Sequence, residues 1–174
     1  MLLYVGSEIA SSSWMSTYIV RDLKGNLYLG GLAMASYWGM ITVGRIVFAY
    51  LSQRNHYGTL LRISSIISLV FLFLLIMTNN IPLVILSFMG IGFGFSGIWP
   101  LIVAVVARNI EEMQATAIGV VVALGGTGAL FFPWLFGIFS DFMGLRFIFI
   151  MVIVLVMAMF LVFQSRFFKV NSGT

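Results

Sequence analysis

The chemistry-bearing stretch of this 174-residue sequence is Tyr4-Val5-Gly6-Ser7-Glu8-Ile9-Ala10-Ser11-Ser12-Ser13-Trp14-Met15-Ser16-Thr17-Tyr18. At about 100° per residue, Tyr4, Glu8, Ser11, Ser12 and Met15 share one helix face. A carboxyl in that setting can carry a proton or hydrogen-bond a solute hydroxyl. On a lipid-facing surface a carboxylate costs a few kcal/mol or more, so the stripe must look into protein or water. The competing reading is a helix-end carboxylate that reaches the membrane interface, because Glu8 lies close to Met1.

Other chemistries lack their residues. The sequence contains no Cys, which removes disulfides and thiolate ligands. One His and few carboxylates do not make a metal site. Gly94-Phe95-Ser96-Gly97 is a GxSG run of the kind in which rhomboid-type intramembrane proteases carry their serine. A serine nucleophile needs a base in reach, and the sole imidazole, His56, falls in a loop. No phosphate-binding loop or glycine-rich nucleotide fingerprint is present. No cofactor and no enzymatic activity are expected, and without a basic run there is no case for nucleic acid.

The elements that position Glu8 follow from composition. The chain is 61 % hydrophobic and 8 % charged, where a soluble domain carries about 25 % charged residues. It reads as an integral membrane protein. A crossing helix needs about 20 apolar residues. Six such segments fit, at about 2–20, 28–51, 60–77, 82–107, 115–139 and 145–163. The expected fold is all-α, with six transmembrane helices in a 3+3 bundle forming one domain over 1–174. The first helix begins at, or before, the first residue, which hints at a chain cut from something longer.

With the N-terminus in the cytoplasm, Arg45, Arg54, Arg62, Arg108, Arg166 and Lys169 lie inside, against Arg21, Lys24 and Arg146 outside. That bias favours cytoplasmic termini in a plasma or inner membrane. The third and sixth segments read as greasy and lipid-facing. The second carries a small-residue seam, Gly31, Ala35 and Gly39, and the fourth carries Gly90 and Gly94. Pro100 and Pro133 fall in mid-segment, where they should kink the backbone.

Two motifs carry a resemblance. Gly39-Met40-Ile41-Thr42-Val43-Gly44-Arg45, followed by Leu51-Ser52-Gln53-Arg54, resembles the cytoplasmic signature at the end of helix eight of the major facilitator superfamily. Phe136-Gly137-Ile138-Phe139-Ser140-Asp141-Phe142-Met143-Gly144-Leu145-Arg146 resembles that family's turn between helices eleven and twelve. Tyr4-Val5-Gly6-Ser7-Glu8 is similar to the start of helix seven in fucose permease-like sugar:proton symporters. The resemblance implies the C-terminal half of a secondary transporter, binding a small polar solute such as a sugar at mid-membrane. The expected partners are the bilayer, the solute, and an N-terminal six-helix half or another copy.

On that reading the substrate wall comprises Glu8, Ser11, Ser12, Tyr37, Trp38, Ser96 and Trp99. Tryptophan faces suit sugar rings, although Trp38 and Trp99 serve equally well as packing or interfacial anchors. Gly44, Arg45, Arg54, Pro100, Pro133 and Asp141 are assigned to gating and structure. The alternative is a truncated or split-gene fragment without transport of its own.

Overall fold

The computed structural model describes residues 1–110 and 112–164. Every regular element among them is helical. Helix α1 runs over Leu2–Thr17 and continues through one π-helical turn, Tyr18–Asp22, where the Leu23 N–H donates to the Tyr18 carbonyl five residues back. Helix α2 is Leu27–Leu51, started by Asn26, whose side chain accepts from the Leu29 N–H. Helix α3 is Tyr57–Met77. Helix α4, Ile81–Ser96, is capped in the same way by Asn80 and carries Pro82 in its first turn, where the missing N–H is harmless. Helix α5 is Ile98–Asn109, α6 is Gln114–Met143 with Pro133 inside it, and α7 is Arg146–Phe163. The turn into α7 is made by Gly144 at φ 84°, a backbone conformation that favours glycine.

Among the described residues, five helical stretches are long and apolar enough to cross a membrane: α2, α3, α4 with α5, α6 and α7. At 16 residues α1 is shorter than a full crossing, and the π turn extends it to Asp22. The chain is thus an all-helical, multi-pass membrane protein.

Packing centres on α4, which lies between α2 and α3, while α1 runs beside α6 and α7 backs both α3 and α1. The helices are enclosed to very different degrees. Of the apolar window of α4–α5, 61 % is buried, against 28 % in α2 and 17 % in α6. The seam expected on α2 faces outward: a methyl group added at Gly31 or Gly39 would meet nothing within 4 Å.

Three details depart from the sequence reading. The segment expected over 82–107 is broken at Gly97, which both ends α4 and precedes α5. Pro100 therefore sits in the first turn of α5, where it needs no kink. Helix α3 is not simply greasy, because Ser64, Ser65 and Ser68 are fully buried, and a Cβ on Gly94 of α4 would lie 2.7 Å from the Ser68 backbone nitrogen. In lipid, small and hydroxyl residues replace the hydrophobic effect as the means of helix association.

Each end of the bundle has its own tie. On one side, here the near side, the Arg108 guanidinium lies 4.7 Å from the centre of the Tyr57 ring, joining α5 to the start of α3. On the far side Arg146 donates to the Tyr18 hydroxyl at 3.1 and 3.2 Å, to the Thr78 carbonyl and to Asn79 Oδ1. That one residue fastens α7 to the π turn and to the end of α3. Arg166 and Lys169, counted above for orientation, lie outside the described residues.

Candidate functional site

A cavity of about 710 Å³ opens among the helices. Val5, Glu8 and Ile9 of α1 form one wall, and Trp38, Arg45, Phe48, Ala49 and Ser52 of α2 form another. Tyr57 at the start of α3 and Trp99, Pro100, Leu101 and Ala104 of α5 complete it. The α2 members recur at helical spacing, and they lead from Trp38 towards the α2–α3 turn. The cavity therefore reaches from Glu8 to the near side.

Glu8 is 5 % exposed, and its Oε1 has no hydrogen-bond partner among the described residues. The Tyr4 hydroxyl, one turn earlier on the same face, is buried too and interacts with the Glu8 carboxyl without closing a well-formed hydrogen bond to Oε1. A buried polar atom left so costs on the order of 1–3 kcal/mol. Tyr37, fully buried on α2, donates its hydroxyl to the Glu8 backbone carbonyl at 3.1 Å, fixing that turn of α1 against α2. Arg45 is exposed within the cavity and acts electrostatically on Glu8. One carboxyl, one guanidinium and two indoles thus share a largely apolar chamber. Such a set can orient a solute that has an apolar face and several hydrogen-bonding groups.

Of the seven residues expected on the substrate wall, the cavity gathers Glu8, Trp38 and Trp99. Ser11 and Ser12 share the inward face of Glu8 but turn their hydroxyls to their own helix, at the Ser7 and Ile9 carbonyls. Tyr37 lies behind the wall as a support. Ser96 is fully buried, donates to the Phe93 carbonyl at 2.6 Å, and packs on Gly44. Ser11, Ser12, Tyr37 and Ser96 do not line the cavity, because each hydroxyl is used within the bundle.

Among the residues assigned to gating, Arg45 and Pro100 line the same cavity as Glu8. Arg54 stands on the near-side turn with its guanidinium 5.6 Å from the Tyr50 ring centre. Asp141 lines a second cavity, of about 490 Å³, on the far side with Trp14, Thr17, Arg21 and Asp22. Pro133 offers its carbonyl to the Trp14 indole. Sequence reasoning passed over Phe48, Ser52 and Tyr57. The signal for the first two was their helical spacing from Trp38 and Arg45, while nothing local marks Tyr57.

The profile of the Major Facilitator Superfamily matches residues 1–173. The chain belongs to this superfamily. It is 28 % identical to "Bypass of stop codon protein 6" of Saccharomyces cerevisiae, over 85 % of this chain and 32 % of the yeast protein. Its fold is similar to that of a mutant of the peptide transporter POT crystallised with alafosfalin, with a TM-score of 0.84 at 13 % identity. That likeness covers 93 % of this chain and 35 % of the transporter. The chain spans about a third of the length of both proteins.

Proposed function

We propose that the chain is the C-terminal, six-helix half of a secondary active transporter that moves a small polar solute by alternating access. The specific candidate is a sugar taken up with protons, as in the fucose permease-like group. What supports this reading above all is Glu8, a buried carboxyl whose Oε1 has no hydrogen-bond partner among the described residues and whose cavity also holds Arg45, Trp38 and Trp99. An ionisable group kept inside a membrane is expected to serve transport. In this reading Glu8 binds the solute and exchanges a proton, the two indoles stack on it, and Arg45 sets the charge of the chamber. The other wall is supplied by an N-terminal half, or by a second copy, facing α2 and α6. The membrane is the plasma or inner membrane, with both termini cytoplasmic.

Glu8→Gln in the complete transporter tests the assignment, because it keeps shape and hydrogen bonding but does not titrate. If Glu8 couples protons, solute exchange persists and pH-driven accumulation is lost. If it only binds solute, affinity falls and accumulation still follows the pH gradient. Wild-type exchange, affinity and accumulation would together remove Glu8 from the mechanism.

A second reading is a fragment that does not transport by itself and acts as an assembly partner. It is favoured by the open faces of α2 and α6 and by the one-third coverage of the relatives. An adjacent coding segment for six more helices supports the transporter; a lone half supports the fragment.

A further inference from the structure

Helices α1 and α6 run side by side in the same direction, with close contacts along their length. Gly128 takes the Leu2 backbone, Gly6 takes the Phe132 ring, and Gly137 takes the Trp14 indole, whose Cζ2 would stand 2.8 Å from an added Cβ. At that last point the Trp14 Nε1–H donates to the Pro133 carbonyl at 3.2 Å. Pro133 lies inside α6 and has no N–H, so the carbonyl four residues before it lacks its ordinary helical donor. This is where α6 bends most easily. Trp14 is thus joined by hydrogen bond and by ring packing to the most pliable point of its neighbour.

The position along α1 matters as much as the contact. Val5, Glu8 and Ile9 face the near-side cavity, whereas Trp14 and Thr17 face the far-side one. Trp14 stands where α1 passes from one cavity to the other. Across the far-side cavity lie Ser140, Asp141 and Gly144, all on the part of α6 beyond Pro133 or just past its end. A bend at Pro133 would move that lining away from α1 and widen the far-side cavity.

We propose that Trp14 is a positioning residue of the transport cycle, whose indole pins α6 at Pro133 and so holds the far-side cavity narrow until the pin is released. This inference rests on the alternating-access reading above, but its test needs no solute and so stands or falls apart from it. The chain contains no Cys. Thr17→Cys places a thiol in the far-side cavity, Ala49→Cys places one in the near-side cavity, and Asn55→Cys reports on an exposed turn.

Each single-thiol chain is placed in lipid nanodiscs, which leave both faces accessible, and its rate of labelling by a small hydrophilic maleimide is measured. Trp14→Phe keeps an aromatic ring and removes the N–H donor. It is expected to raise the rate at position 17 by about threefold to tenfold, the range for one neutral hydrogen bond lost from one of two states. Positions 49 and 55 should not rise. Gly137→Ala, which crowds the indole while leaving the Trp14 side chain unaltered, should act at position 17 in the same direction. Pro133→Ala restores a helical N–H and keeps the carbonyl, so combined with Trp14→Phe it should cancel most of the gain. An unchanged rate at position 17 overturns the proposal, as does an equal rise at all three positions. A gain that survives Pro133→Ala overturns the bend at Pro133 as its cause.

Discussion

Tyr37 shows how much of a transport site consists of residues that never meet the solute. Its ring is fully buried, and its hydroxyl donates to the Glu8 backbone carbonyl, so that it sets the height and rotation of the Glu8 turn. Tyr37→Phe should lower stability by about 0.5–1.5 kcal/mol, the net value of one neutral hydrogen bond. Thermal unfolding in detergent checks this, and an unshifted midpoint would show that the bond is not held in the membrane-extracted protein. At this scale the sequence was half legible. That Tyr4, Glu8, Ser11, Ser12 and Met15 turn inward followed from the cost of a carboxylate in lipid, and all five are buried. That Ser11 and Ser12 satisfy themselves on their own helix did not follow, because a serine bonding back one turn and a serine facing a solute have the same sequence signature. Arg45 carried a motif that suggested gating, and only the packing of α2 against α1 and α4 puts it in the cavity of Glu8.

Among the elements, glycine has two opposite roles that composition does not separate. Gly94 on α4 sits against the backbone of α3, with the Ser64 carbonyl 3.0 Å from where a Cβ would lie. Backbone does not move aside as a side chain does, so Gly94→Ala should destabilise by about 1–3 kcal/mol. Gly39 on α2 has open space around it. Gly39→Ala should leave the isolated chain unchanged, or raise its stability by up to about 1 kcal/mol through better helix propensity. The same substitution should weaken any close association along that face. Unfolding of both variants, followed by co-purification with a partner half, separates the two roles; equal destabilisation by both would show that the outward seam is already occupied. The all-helical membrane architecture was legible because 61 % hydrophobic residues leave few other options. The break at Gly97 was not, since a glycine in an apolar run marks a seam as readily as an interruption. The buried serines of α3 recur at helical spacing with Leu61, Leu72 and Leu75, and only their dilution among Leu and Ile hid the stripe.

Taken whole, the molecule has an enclosed side around α4 and an open side on α2 and α6. Sidedness in the membrane is the simplest whole-molecule property to test. If the charge bias governs, a thiol introduced as Asn55→Cys in intact cells should resist an impermeant reagent added from outside and react after permeabilisation. Labelling from outside would invert the topology and with it the side to which the Glu8 cavity opens. The pairing of α1 with α6 has a further consequence, which concerns the order of synthesis. Trp14 and Pro133 are 119 positions apart, so at 5–20 residues per second α1 waits roughly 6–24 s for its neighbour. During that wait the hydroxyl of Tyr37, 29 positions after Glu8, is the first distant donor to reach α1. A nascent chain halted before Gln114 should therefore hold its first helix loosely and be open to degradation, whereas one halted beyond Met143 should not.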